Sequence, residues 1–222
     1  MTYGDVVALV SGGLDSLLLT QVLRSRVGRT HPVYVRCGLL WEPAELASLR
    51  RWLVRVGHPR LARLTVLDLP VRSLYASHWS LTGRGLPSAT SPDAAVYLPG
   101  RNVLLATAAA LHACRQHLST IALGTLGGNP FGDARAGFLT RLARCLSDAL
   151  GCRLRIITPL HHRTKAELVA SAAHLPLGMS FSCLRPRGGR HCGACNKCAE
   201  RQRAFRQAKV PDPTSYATSH VH

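Results

Sequence analysis

Five short stretches of nearly unbroken aliphatic and β-branched character recur along this chain, and a helical pattern follows each one. The stretches are Asp5–Val10, Val33–Arg36, Leu64–Leu69, Thr120–Gly124 and Leu154–Thr158. The helical patterns run over about Leu14–Val27, Glu42–Val56, Asn102–His117, Ala134–Leu150 and Thr164–His174. A strand without polar alternation is buried on both faces, as the central strands of a parallel sheet are. Their alternation with helices predicts an α/β fold: a doubly wound, mostly parallel five-stranded sheet with helices on both faces and right-handed crossovers. The stretch Tyr75–Leu98, rich in Gly, Pro, Ser and Thr, interrupts the rhythm and reads as a long loop of functional or mobile kind.

At 222 residues, with 46% hydrophobic and 18% charged content, the chain can bury the core of one domain with a small appendage. No apolar run approaches the roughly 18 to 20 residues that span a bilayer. The N-terminal residues read as a strand rather than a basic and apolar leader, so the expectation is a cytoplasmic protein with no membrane partner. The formal charge is +17, from 28 basic against 11 acidic residues. Only Lys165, Lys197 and Lys209 are lysines; the other 25 basic residues are arginines. Such a field suits a nucleic-acid surface or a small anion such as ATP. The arginines are spread along the chain rather than clustered, so a nucleic-acid partner stays open but is not favoured.

The first strand runs straight into Ser11-Gly12-Gly13-Leu14-Asp15-Ser16 and then an apolar helix. Glycines at a strand-to-helix turn let the backbone approach a ligand, and the helix start favours an anion there. Ser11 and Ser16 add hydroxyls. Asp15 would repel phosphate unless a cation lies between, which points to Mg²⁺ bridging Asp15 and a pyrophosphate. The candidate nucleotide-binding residues are Val10, Ser11, Gly12, Gly13, Leu14, Asp15 and Ser16. The spacing is neither that of a Walker loop nor that of a dinucleotide fold.

Four of the eight cysteines, Cys183, Cys192, Cys195 and Cys198, fall within sixteen residues. Two overlapping Cys-x-x-Cys turns and a fourth thiol across a glycine-rich loop fill the tetrahedral sphere of a structural Zn²⁺. His191 as a substitute ligand and an iron–sulfur cluster are the alternatives. Nearby arginines and Lys197 would offset the thiolate charge. Cys37, Cys114, Cys145 and Cys152 read as buried free thiols.

Ser11–Ser16 resembles the pyrophosphate loop of the N-type ATP pyrophosphatases, and the whole chain resembles the 7-cyano-7-deazaguanine synthases of the queuosine pathway. The likeness runs through Pro99-Gly100-Arg101-Asn102 after Tyr97, Asp133-Ala134-Arg135 with Phe138, Thr158-Pro159-Leu160, Thr164-Lys165-Ala166-Glu167 and the full cysteine spacing. It implies a pyrophosphatase domain over residues 1–178, a zinc-binding segment packed on it over 179–209, and a loose tail over 210–222. It also implies ATP, Mg²⁺ and structural Zn²⁺, a 7-deazapurine carboxylate as small-molecule substrate, and ammonia. A homodimer is left open. The carboxylate would be adenylated, captured by ammonia as an amide, then activated again and dehydrated to a nitrile. The resemblance gives Asp15, Ser16, Arg101 and Lys165 catalytic roles, the latter two steadying phosphate charge. Asn102, Asp133, Arg135 and Arg36 become substrate candidates. Asp133 also has metal binding, or capping of the helix near Ala134, open to it. One departure stands out: the family carries an Asp-Tyr-Gly-Gln-Arg-His type segment where this chain has Arg36-Cys37-Gly38-Leu39-Leu40-Trp41. Arg36 would then face an acceptor anion, and Trp41 would pack in the core or stack on a planar ring. A paralogue adenylating another carboxylate, an amide or a tRNA base is the alternative, with Cys37 as thiolating candidate. A non-catalytic zinc-ribbon RNA-binding protein is the reading from a different class.

Overall fold

The computed structural model of the protein describes residues 3–217. In chain order the elements are β1 Val6–Leu9, α1 Leu14–Leu23, β2 Thr30–Arg36, α2 Glu42–Arg55, β3 Thr65–Asp68, α3 Arg72–Tyr75 and α4 Trp79–Thr82. Then come α5 Arg101–Arg115, β4 Thr120–Ala122, α6 Ala136–Leu150, β5 Arg155–Ile157, α7 Lys165–Ser171 and α8 Asn196–Ala208. The strands form one five-stranded sheet in the order β3-β2-β1-β4-β5, with every pairing parallel. The chain builds outward from β1 through β2 to β3, returns, and builds the other way through β4 to β5. Between the tips of β1 and β4 the crossovers part, which is where ligands bind in open α/β sheets.

Period-two geometry divides each strand between two cores. Val7, Leu9, Val33, Val35 and Ile121 pack with α5 and α6, through residues such as Ala109, Ala113 and Leu139. Val6, Ala8, Val10, Tyr34 and Ala122 pack on the other face with α1, α2, α7 and α8, through Leu17, Trp52, Leu168 and Phe205. Both faces of β1 are therefore dry, which is why its sequence shows no polar alternation.

Several local expectations change. The Tyr75–Leu98 loop carries α4 and a 3₁₀ turn at Asp93–Val96. It docks on the cysteine segment through Ala89 N to Ala194 O and Asn196 N to Pro87 O. The helix after Asp133 starts at Ala136, so Asp133 does not cap it. Instead its carboxylate accepts the Asn102 backbone N–H and side-chain amide, both at 3.1 Å, and so caps the first turn of α5. Residues 210–217 of the expected loose tail are docked: Tyr216 bridges to His191. Asp212 and Thr214 serve the buried guanidinium of Arg201, a charge that burial would otherwise strand. Residues 218–222 lie outside the described residues. Cys114 and Cys152 form a disulfide with Cα atoms 6.2 Å apart, and Cys145 is exposed. Of the four thiols expected buried and free, only Cys37 is both. Among the described residues no helix is long and apolar enough to cross a membrane.

Candidate active site

A cavity of about 310 Å³ opens at the carboxyl end of the sheet, between the tips of β1 and β4. Its floor is the turn from β1 to α1. Gly12 there has φ +84°, and an added Cβ would lie 2.6 Å from the Glu45 carbonyl oxygen, so glycine is obligatory. Gly12 turns away from the cavity, while Val10, Ser11, Gly13, Leu14, Asp15 and Ser16 line it. Both serine hydroxyls already have protein partners: they lie 3.3 Å apart, and Ser11 Oγ accepts the Gly13 N–H at 3.3 Å and also pairs with the Glu45 carboxyl. Ser16 Oγ donates to Gly13 O and accepts the Ser11 N–H, both at 3.0 Å. They hold the loop in shape rather than standing free as donors. Across the cavity Gly124, just past β4, comes so near that a Cβ would lie 3.3 Å from Asp15 O.

Asp15 divides its oxygens. Oδ2 pairs with Lys165 Nζ at 3.2 Å, whereas Oδ1 is buried with no hydrogen-bond partner. Arg101 Nε and Thr125 Oγ1 are likewise buried and unpartnered, and both residues line the same cavity. An unmade hydrogen bond on a buried polar atom costs about 1–3 kcal/mol, so three at one cavity mark a place built for a polar ligand. An unsatisfied carboxylate oxygen beside an amide-rich helix start fits Mg²⁺ bridged to phosphate.

Lys165 enters from the first turn of α7, whose Thr164–Glu167 capping box fixes the helix start. Its ammonium pairs with Asp15 and Glu200; burial opposes its charge, but the two carboxylates raise its pKa on balance. Glu200 of α8 also pairs with Lys197 at 2.7 Å. Burial pushes its carboxyl up, yet the two ammonium groups prevail and hold it at about 2. Lys197 and Glu200 had no signal as site residues in the sequence, because their roles come from the approach of α8 to α7.

A second buried acid was also missed. Glu45 of α2 lines the cavity and accepts the Tyr34 hydroxyl at 3.0 Å. Burial pushes its carboxyl up to about 8, against the pull of Arg101. Glu42 accepts the backbone N–H groups of Cys37 and Gly38 at 2.7 and 2.8 Å, fixing the turn after β2.

The other candidates are sorted by position. Asn102 lines the cavity but gives its amide to Asp133. Asp133 and Arg135 do not line it, and Arg135 is exposed at the start of α6. Arg36 lies outside too, its guanidinium paired with Asp68 at 2.5 and 2.9 Å on the exposed rim. Trp41 packs in the core, 5% exposed; it also lines the cavity beside Trp79, their rings 5.8 Å apart and stacked on each other. Cys37 is buried, and that burial pushes its thiol up to about 11, which disfavours the thiolate a thiolating role needs.

Cys183 forms one wall of the cavity, and its sulfur belongs to a cluster with those of Cys192, Cys195 and Cys198, all within 4.8 Å of one another. Three of the sulfur pairs lie at 3.5, 3.9 and 3.9 Å. Zn–S bonds of about 2.3 Å give a tetrahedron with edges of about 3.8 Å. The fit to one tetrahedral ion is close, and four sulfurs this near leave no room for a multi-iron cube. Backbone N–H groups of Leu184, Arg185, Cys192 and Ala194 point at the sulfurs and would stabilise thiolate charge. His191 accepts the Ser182 N–H through Nε2 and sits against Phe181, outside the four-sulfur set.

A parallel sheet with this loop at its switch point defines a pyrophosphate-loop α/β domain of the adenine nucleotide alpha hydrolase-like class, joined to a four-cysteine segment whose sulfurs could hold a metal ion. A predicted subunit of tRNA methyltransferase from Methanocaldococcus jannaschii has the same fold, with a TM-score of 0.51 at 16% identity over 99% of this chain and 94% of that one. The profile of the family described as queuosine biosynthesis protein QueC matches residues 5–209, and the chain belongs to that family. It is 32% identical to 7-cyano-7-deazaguanine synthase 1 of Sphingopyxis alaskensis over 98% of this chain and 100% of that one. It is 30% identical to 7-cyano-7-deazaguanine synthase 1 of Desulfitobacterium hafniense over 92% of this chain and 93% of that one.

Proposed function

We propose that the chain is an ATP-dependent ligase that converts 7-carboxy-7-deazaguanine and ammonia to 7-cyano-7-deazaguanine through adenylated intermediates. The observation that carries this is the convergence of Asp15 Oδ1, Arg101 Nε and Thr125 Oγ1, unpartnered and buried, on a cavity at the phosphate-binding loop. A substrate carboxylate oxygen attacks the α-phosphorus and pyrophosphate leaves; ammonia then displaces AMP to give the amide. A second adenylation of the amide oxygen, followed by loss of AMP and protons, leaves the nitrile. The loop N–H groups hold the departing pyrophosphate, and Arg101 and Lys165 offset its charge. Asp15 would hold Mg²⁺, which when bound neutralises polyphosphate charge. The four cysteines would hold Zn²⁺ in a closed, structural site. The paired tryptophans offer a planar acceptor an apolar wall where the family carries polar groups.

Incubation with ATP, Mg²⁺, ammonia and the carboxylate, followed by mass spectrometry, tests the reading. AMP, pyrophosphate and the nitrile are expected. ADP and phosphate as the only nucleotide products would refute adenylation, and AMP formation only with a different acceptor would refute the substrate.

A further inference from the structure

Cations in this chain are arginines in 25 cases and lysines in three. Two of those three lysines, Lys165 and Lys197, line the one cavity described above. Their ammonium groups are not independent. Both are held by Glu200, one on each carboxylate oxygen, and Lys165 extends the chain to Asp15 of the phosphate loop. The side chains of Lys165, Glu200 and Lys197 are 18%, 20% and 30% exposed, so the array stands in a partly desolvated wall. Lys197 lies between Cys195, which caps the start of α8, and Cys198 in its first turn, so the four-cysteine segment fixes where its stem starts.

We infer that Lys197 is a second polyphosphate-facing cation of the nucleotide site, and that Glu200 is the positioning residue that sets it and Lys165 side by side. This rests on the nucleotide reading of the cavity and adds to it a residue delivered by the cysteine segment. Two compact ammonium groups at the phosphate loop would repel each other without a carboxylate between them. With one, they present a fixed pair of donors to phosphoryl oxygens, a task that suits the compact point charge of a lysine ammonium. The rival explanation is a plain ion-pair bridge tying α7 to α8.

Calorimetric titration of the metal-loaded full chain with ATP and Mg²⁺, and separately with AMP, distinguishes them. Lys197→Gln should weaken ATP binding by roughly tenfold while AMP binding changes less than about twofold. Glu200→Gln should also weaken ATP selectively, and Glu200→Asp should recover most of the loss. Metal content and melting temperature identify any variant that has not folded, and Lys197→Arg then serves as the second variant: its ATP affinity should lie between those of wild type and Lys197→Gln. Unchanged ATP affinity in Lys197→Gln, or equal losses for ATP and AMP, would overturn the inference while leaving the nucleotide site intact. Failure of the wild-type protein to bind ATP would overturn the nucleotide reading itself.

Discussion

Asp15 shows how much a single side chain can be asked to do: one oxygen is neutralised by Lys165 and the other is buried without a partner. Asp15→Asn keeps the shape but removes the charge that would hold a divalent cation. We expect turnover to fall by at least about 100-fold, as for loss of a major electrostatic group, with the melting temperature within a few degrees of wild type. Paired steady-state kinetics and thermal melts check this. Glu45 makes a pH prediction. Burial raises its folded pKa to about 8, above the roughly 4.3 of an unfolded glutamate, so the folded state holds a proton that the unfolded state releases. The stability tied to that proton is fully present below about pH 4.3 and is lost as pH rises towards 8. Its charged neighbours Arg101 and Glu42 act in opposite directions. Wild-type protein should therefore melt lower at pH 8.5 than at pH 6, and Glu45→Gln, which mimics the protonated acid, should show a distinctly smaller drop. Equal drops in the two proteins would remove Glu45 as the cause.

Elements far apart in the chain meet at the site. The β1–α1 turn supplies the loop, α5 supplies Arg101, α7 supplies Lys165, and α8 closes the wall. The four-cysteine segment holds this assembly from three sides: residues 87 and 89 of the long loop, the docked 210–217 stretch, and α7 all contact it or its helix. Elemental analysis should find about one zinc per chain. Cys195→Ser should release it and lower stability by several kcal/mol, since structural zinc contributes on the order of 10 kcal/mol of folding energy in small domains. A metal-free variant that melts like wild type, or visible absorbance from iron, would contradict this.

For the whole molecule, the formal charge of +17 would attract the anionic nucleotide proposed for the cavity. Long-range attraction of that kind is screened beyond about 10 Å at 0.1 M salt. KM for ATP should rise several-fold between about 0.05 and 0.5 M salt while kcat changes much less, because salt acts on encounter rather than on the buried contacts. A salt-independent KM would assign the arginines no part in nucleotide capture. At this scale the alternation of apolar strands and helices was legible from end to end, because burial on both faces of a parallel sheet writes itself into contiguous residues. So were the glycine turn and the four-cysteine spacing, whose chemistry is local: a phosphate cradle needs φ > 0 and free N–H groups, and a tetrahedral ion needs convergent thiolates. Pairings between distant segments left no such trace. Arg36 stands at the sheet's carboxyl edge, where the sequence leaves it free to meet a substrate, but Asp68 of the neighbouring strand takes its guanidinium. Asp133 is open in the sequence to metal binding or to capping the helix that follows, and its carboxylate instead accepts the Asn102 N–H, 31 residues earlier. Glu45, Trp79, Lys197 and Glu200 became site residues through packing that brings separate helices within a few ångströms, and no local pattern records such a distance.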